Sequence, residues 1–120
     1  MSAGLTSARL GRRTLVLTGD VLGGQLVSIA KVEGFPGFPD GVPGYDLCPM
    51  LQEQAVACGA EVMMGSVERI HPQDGKWRLT TGAGGILARG IILATGSTLK
   101  KLNVPGEERL TGKGVSHCAS

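Results

Sequence analysis

Two small-residue turns in this sequence have the residue types and the position needed to bind a ribose or a phosphate. In the first, Gly19-Asp20 and then Gly23-Gly24 come directly after the apolar run of residues 13–18. Glycines leave backbone amides uncovered for a phosphate, and a carboxylate can accept hydrogen bonds from ribose hydroxyls. A connector without a ligand would have the same composition, so this stretch alone leaves both interpretations open.

The second turn is Ala94-Thr95-Gly96, which ends an apolar run that begins after Gly90. Such an uninterrupted run predicts a short strand over residues 90–95 that is buried on both faces, as in parallel sheets covered by helices. Ligands bind at the carboxyl ends of strands in open sheets of this kind. The turn is therefore a second candidate ligand site, although a buried strand and a tight turn can also be purely structural.

The cysteines indicate no metal site. Cys48, Cys58 and Cys118 have no metal-ligand spacing with either histidine of the chain. In a reducing compartment they are expected to be thiols unless one has a redox task. Cys48 and Cys58 fall within a predicted helix and are interpreted as small residues on its surface.

Composition limits the classes of function. The chain has 120 residues, 42% of them hydrophobic, a net charge of +2, and only two Phe, one Tyr and one Trp. This predicts at most one domain with an aliphatic core, and it argues against a nucleic-acid partner because basic patches and stacking aromatics are both scarce. The absence of a membrane-length apolar run and of a signal-peptide pattern favours no membrane association and a cytoplasmic location.

The apolar runs predict an α/β fold. Residues 13–18, 61–70 and 90–95 are predicted to be neighbouring strands of one parallel sheet, packed against an amphipathic helix over residues 45–58. That helix would begin with Asp46 as its N-cap and Pro49 in its first turn. A short helix over residues 3–10 would precede the first strand and end at Gly11.

Residues 76–81 and 85–89 alternate between polar and apolar around Gly82-Ala83-Gly84, which predicts a β-hairpin. His71, beside a proline, is interpreted as a turn residue. The glycines from Gly82 to Gly85 are no dinucleotide fingerprint, because Leu87 occupies the third glycine position and no helix follows.

Taken together, the ordered motifs resemble bacterial thioredoxin reductases and their close relatives, flavoproteins of the pyridine nucleotide-disulfide oxidoreductase group. The resemblance runs from about residue 10 to Ser120. It is carried by Leu15-Val16-Leu17-Thr18-Gly19, Gly23-Gly24-Gln25-Leu26, Phe35-Pro36-Gly37-Phe38-Pro39, Ile92-Leu93-Ala94-Thr95-Gly96, Val104-Pro105-Gly106-Glu107 and Gly114-Val115-Ser116-His117-Cys118-Ala119.

The resemblance implies a partial FAD-binding Rossmann-like domain with a parallel sheet, a hairpin or meander insertion and a covering helix. It implies that FAD contacts Gly19, Asp20, Gly23, Gly24, Gln25, Leu26, Val67, Ala94, Thr95 and Gly96. Val67 would lie near the adenine. Cys118 would be the first cysteine of a Cys-Ala-x-Cys redox pair, which exchanges with a disulfide.

The same resemblance implies the organisation and the partners. Residues 1–97 would belong to the FAD domain, and residues 98–120 would cross toward an NADPH domain. The intact enzyme would be a homodimer that passes electrons from NADPH through FAD to thioredoxin or another disulfide. This chain looks like an interior piece that is inactive alone and holds FAD poorly. Two alternatives are a relative of ferredoxin- or flavodoxin-type NADP reductases and a non-catalytic nucleotide-binding remnant.

Overall fold

The structure, a computed structural model, describes residues 1–116. Its elements are helices α1 (Ser2–Arg9), α2 (Gly44–Ala57) and α3 (Glu107–Leu110), strands β1 (Leu15–Leu17), β2 (Glu61–Met63), β3 (Val67–Gln73), β4 (Lys76–Thr81) and β5 (Gly84–Ala88), and a 3-10 helix (Gly24–Ser28). The α/β fold class predicted from the sequence is confirmed: a parallel pair of strands, an antiparallel meander and a covering helix are all present. Within the described residues no helix has both the length and the apolar content needed to cross a bilayer.

Strands β1 and β2 form a two-stranded parallel sheet in which Leu15 pairs with Glu61 and Leu17 with Met63. Helix α1 covers this sheet closely, because a Cβ atom on Gly4 would collide with the side chain of Val16. Helices α1 and α2 meet in a small core of Ala8, Ala55 and Ala60. The predicted parallel pairing of the first two apolar runs is confirmed.

The predicted third strand of this sheet is wrong. Residues 90–95 pair with no strand in the described part of the chain, and Ile92 and Leu93 are 69% and 70% exposed. An apolar run predicts burial only if other elements supply the covering faces and the ladder partners. The described residues supply neither along this run.

The predicted strand over residues 61–70 is two strands. Gly65, with a φ of +149°, separates β2 from β3, and β3 turns away to pair antiparallel with β4. His71 lies inside β3 opposite Arg78, so its interpretation as a turn residue is wrong. The turn follows at Asp74-Gly75, where both residues have positive φ values of 49° and 71°. The predicted hairpin is confirmed as β4 and β5.

Helix α2 begins earlier than the sequence pattern predicts. Pro43 is the N-cap residue, Asp46 lies in the first turn without a capping hydrogen bond, and Pro49 is inside the helix. The amides of Asp46 and Leu47 already donate to the Pro43 carbonyl, which starts the helical turn there. The 3.6-residue spacing predicts an apolar face made of Leu47, Leu51, Ala55 and Cys58. Leu47 and Ala55 are fully buried, whereas Cys58 is exposed and Cys48 is buried instead.

Candidate functional site

The segment of residues 19–26, which we call the Gly-Gly-Gln loop, follows β1 directly. Gly23 has a left-handed φ of +87° and caps the 3-10 helix, and Gly24 follows with a φ of +54°. The Leu26 amide donates to the Gly23 carbonyl at 3.0 Å. Within residues 1–116 the amides of Gly23 and Gln25 have no hydrogen-bond acceptor. Both residues are exposed, so these two donors are available to a ligand.

The start of the loop is tied to the beginning of β3. Gly19 and Gly65 exchange two backbone hydrogen bonds of 3.2 and 3.1 Å. The Ser66 hydroxyl donates to Asp20 Oδ1 at 3.2 Å. Val67, half-buried, follows Ser66 in the chain. Three of the residues that the resemblance implies as site residues, Gly19, Asp20 and Val67, therefore lie at one end of the parallel sheet.

The two candidate turns of the sequence meet through Gln25. Its side-chain amide donates to the carbonyl oxygen of Ser97, 72 residues further along the chain. This bond links the Gly-Gly-Gln loop to the turn Ala94-Thr95-Gly96, where Gly96 has a φ of +67°. The structure therefore brings both turns to the same region, although residues 90–95 pair with no strand in the described part of the chain.

The sequence pattern does not predict three of the groups at this site. Ser66 lies inside the predicted strand of residues 61–70, and only Gly65 before it indicates that this strand is divided into β2 and β3. The Ser97 carbonyl carries no sequence signal. Cys48 lies beneath the loop, 3% exposed, and burial raises the pKa of its thiol above the ordinary value.

The segment after residue 97 is organised by Glu107. Its carboxylate, 4% exposed, accepts hydrogen bonds from the amides of Leu102 at 2.9 Å and Asn103 at 2.7 Å. On the surface beside it, Lys101 and Glu108 form a salt bridge of 2.7 Å. Their hydrogen bond raises the pKa of Lys101 and lowers that of Glu108. An open depression of about 550 Å³ lies against this segment and includes none of the predicted site residues.

Cys118, the residue that the resemblance implies as catalytic, lies outside the described residues. Neither Cys48 nor Cys58 forms a disulfide. The redox part of the expected site therefore stays a prediction.

The described residues fit a dinucleotide. A pyrophosphate needs uncovered backbone donors, and the Gly-Gly-Gln loop offers the amides of Gly23 and Gln25 without side chains at residues 23 and 24. A ribose needs a hydrogen-bonding group beside the strand end, and the exposed Asp20 carboxylate and Ser66 hydroxyl lie there. A small-residue turn, Ala94-Thr95-Gly96, borders the same region.

Comparisons with known proteins agree with this geometry. A family model described as pyridine nucleotide-disulphide oxidoreductase matches residues 1–120. The chain is 37% identical over 120 residues to a thioredoxin reductase of Treponema pallidum, covering 100% of this chain and 39% of that protein. It is 42% identical over 121 residues to a thioredoxin reductase of Listeria monocytogenes, covering 99% of this chain and 37% of the relative.

A comparison of the fold with solved structures also finds thioredoxin reductases. The crystal structure of Lactococcus lactis thioredoxin reductase superposes with a TM-score of 0.83 at 32% identity, over 98% of this chain and 39% of that one. This chain thus spans less than two fifths of the length of these relatives. The match of the family model over the whole chain shows that the protein belongs to the pyridine nucleotide-disulphide oxidoreductase family.

Proposed function

We propose that this chain forms part of the FAD-binding domain of a thioredoxin reductase-type flavoenzyme, in which electrons pass from NADPH through FAD to a disulfide. The observation that carries the proposal is the Gln25–Ser97 hydrogen bond, which joins two turns that are far apart in the sequence and both suited to a dinucleotide. The thioredoxin reductases among its relatives support the same assignment.

Each described residue of the site has a task in this proposal. Gly23 and Gln25 donate their free amides to the pyrophosphate, and Gly24 keeps the approach clear of a side chain. Asp20, oriented by Ser66, accepts from a ribose hydroxyl, and Val67 packs near the adenine. When bound, FAD supplies two-electron transfer between a nicotinamide and a disulfide.

Leu26 and Ala94-Thr95-Gly96 complete the cofactor contacts, and Gln25 holds the two turns at a fixed spacing. Residues 1–97 act as the FAD-binding part, and residues 98–120 lead toward the NADPH-binding part. In this arrangement the Glu107 carboxylate fixes the start of the crossing segment by binding two successive amides.

Cys118 is proposed as the redox-active cysteine. Its thiolate would attack a sulfur of the partner's disulfide, forming a mixed disulfide and releasing the other sulfur as a thiolate. A second thiolate, from the other cysteine of the Cys-Ala-x-Cys motif, would then displace Cys118's partner and leave the enzyme's cysteines as a disulfide. The partner in this proposal is thioredoxin or a similar protein, and the enzyme is a cytoplasmic homodimer.

The experiment that tests this function is a chimera. Residues 1–120 replace the matching segment of the Treponema pallidum thioredoxin reductase, and NADPH-dependent reduction of thioredoxin is measured. We expect a yellow protein that reduces thioredoxin. The Cys118→Ser chimera should keep its flavin absorbance and lose the reduction of thioredoxin. A folded chimera without flavin would contradict the proposal, and so would undiminished activity of the Cys118→Ser chimera.

A further inference from the structure

Helix α2 contacts the Gly-Gly-Gln loop at Cys48. A Cβ atom built on Gly23 would overlap the Cys48 sulfur and lie 2.9 Å from the Cys48 Cβ, which is closer than real Cβ contacts. The Cys48 side chain therefore occupies the space beside the Gly23 Cα atom. Cys48 is 3% exposed, so this contact is closed to water.

A second contact lies one helical turn earlier on α2. The Gly44 amide donates to the Ile29 carbonyl at 2.9 Å. A Cβ atom on Gly44 would overlap the Leu26 carbonyl oxygen and lie 3.1 Å from that of Ile29. The first two turns of α2 thus touch the loop at Gly23 and at Leu26, and they also touch Ile29, the C-cap residue of the 3-10 helix.

The neighbouring glycine of the loop provides a contrast. Gly24 also has a positive φ, 54° against 87° at Gly23, but no atom lies within 4 Å of its Cβ position. An alanine at either residue would strain the backbone. Only at residue 23 would it also collide with α2.

We propose that Cys48 is a positioning residue for the Gly-Gly-Gln loop. Its sulfur fills the space beside Gly23 and sets how far the amides of residues 23 and 25 stand from α2. The identity of the ligand, FAD, rests on the proposed function; the contact between sulfur and loop does not. A cysteine suits this task because it is small and apolar enough to be buried against a glycine.

The first experiment is a double-mutant cycle on the 120-residue chain, read by amide hydrogen exchange of residues 19–29. G23A, G24A and C48A are made alone, and each glycine variant is combined with C48A. In G23A we expect about tenfold faster exchange of the loop, because an overpacked contact must shift, and a clearly smaller increase in G23A/C48A. G24A should have the same effect with and without C48A.

The meander β3 to β5 is the internal control, since α2, which carries Cys48, packs mainly against the 3-10 helix, α1 and β2. A general loss of packing would accelerate exchange there as well, whereas a positioning role leaves it unchanged. An equal effect of G23A in both backgrounds, including unfolding in both, would overturn the proposal. So would coupling of C48A with G24A as large as with G23A.

The second experiment measures FAD binding to the same chains by quenching of flavin fluorescence. We expect C48A to weaken binding at least about threefold, because a loop that is no longer held in place costs ordering free energy on binding. C58A, at the exposed end of α2, should leave binding unchanged. Unaltered FAD affinity in C48A would overturn a role in positioning the loop for the cofactor. If neither the chain nor the chimera binds FAD, the proposed function fails, and the exchange cycle alone then decides whether Cys48 positions the loop.

Discussion

At the scale of single residues, the two described cysteines show how position on one helix decides the chemistry of a thiol. Both lie on the predicted helix, and the 3.6-residue spacing places Cys58, not Cys48, on its apolar face. In the structure Cys48 faces the Gly-Gly-Gln loop and is buried, whereas Cys58 follows the last turn of α2 and is exposed. The sequence pattern could not identify Cys48 as the buried thiol, since its packing partner is a glycine 25 positions earlier.

This difference predicts selective alkylation. With iodoacetamide at pH 8, Cys58 should be modified at least about a hundredfold faster than Cys48, because the buried thiol reacts only after local opening. Mass spectrometry of peptides resolves the two sites. Equal alkylation rates of Cys48 and Cys58 in the folded chain would contradict the burial of Cys48.

Burial also predicts a pH dependence of stability. Because burial raises the pKa of Cys48 in the folded chain, the unfolded chain loses this proton first as the pH rises. The contribution is complete below the free-thiol pKa of about 8.5 and is lost as the pH rises through the folded pKa. The urea midpoint should therefore fall between pH 7.5 and 9.5, and less so in C48A than in C58A. An identical fall in the two variants would exclude Cys48 as the cause.

Glu107 predicts a second residue-scale effect. E107A removes an acceptor shared by the amides of Leu102 and Asn103, and a hydrogen bond to a charged group contributes about 1.5–3 kcal/mol. We expect exchange of these two amides to accelerate at least about tenfold. The matched control is E108A, whose side chain is exposed and forms a salt bridge with Lys101; it should leave both amides protected. Equal effects of E107A and E108A would contradict the assigned bonds.

At the scale of elements, local signals predict helices α1 and α2 and the β4–β5 hairpin, but they do not predict α3, the 3-10 helix or the strand pairing that depends on distant partners. Gly11, with its left-handed φ of +70°, follows α1 as expected. Asp74-Gly75 is a hairpin turn signal between β3 and β4, but the apolar pattern predicts a single strand over residues 61–70. The break at Gly65 depends on strand pairing, because β2 pairs with β1 whereas β3 pairs with β4. No local pattern contains that change of partner.

We expect the stability of the β3–β5 meander to depend on Leu79. This residue is 8% exposed and lies between Ile70 and Ile86 on the two neighbouring strands. L79A should destabilise the meander by about 2–4 kcal/mol, because deleting a buried leucine leaves a cavity. L87A on β5, where the side chain is 47% exposed, should cost less than about 1 kcal/mol. Circular dichroism with urea titration measures both. Similar losses in the two variants would contradict the burial difference.

At the scale of the whole molecule, the chain is extended for its length. Its radius of gyration is 17.4 Å, with dimensions of 50 × 38 × 19 Å, whereas a compact domain of this length would have about 14 Å. Five large apolar side chains of the segment after β5 are exposed, namely Ile92, Leu93, Leu99, Leu102 and Val104. For residues 90–95 the composition predicts a buried strand, but burial also requires neighbouring elements, which composition does not specify.

This surface predicts self-association and dye binding. The chain should bind the dye ANS and form larger species as its concentration rises, since exposed apolar runs associate. I92S/L93S should reduce both effects. M64S, which removes another side chain that is 69% exposed but lies outside this segment, is the matched control and should change little. Light scattering with chromatography measures the association; an unchanged profile of I92S/L93S would exclude this segment as the cause.

The central claim is that the Gly-Gly-Gln loop and the turn at residues 94–97 bind one FAD together. The most direct measurement is hydrogen exchange of the chimera, with bound FAD and after removal of FAD, resolved by peptide. We expect bound FAD to slow amide exchange in residues 19–28 and 94–97, and to leave exchange in β4 and in the second half of α2 unchanged. No protection of either segment, or protection confined to residues 101–109, would contradict it.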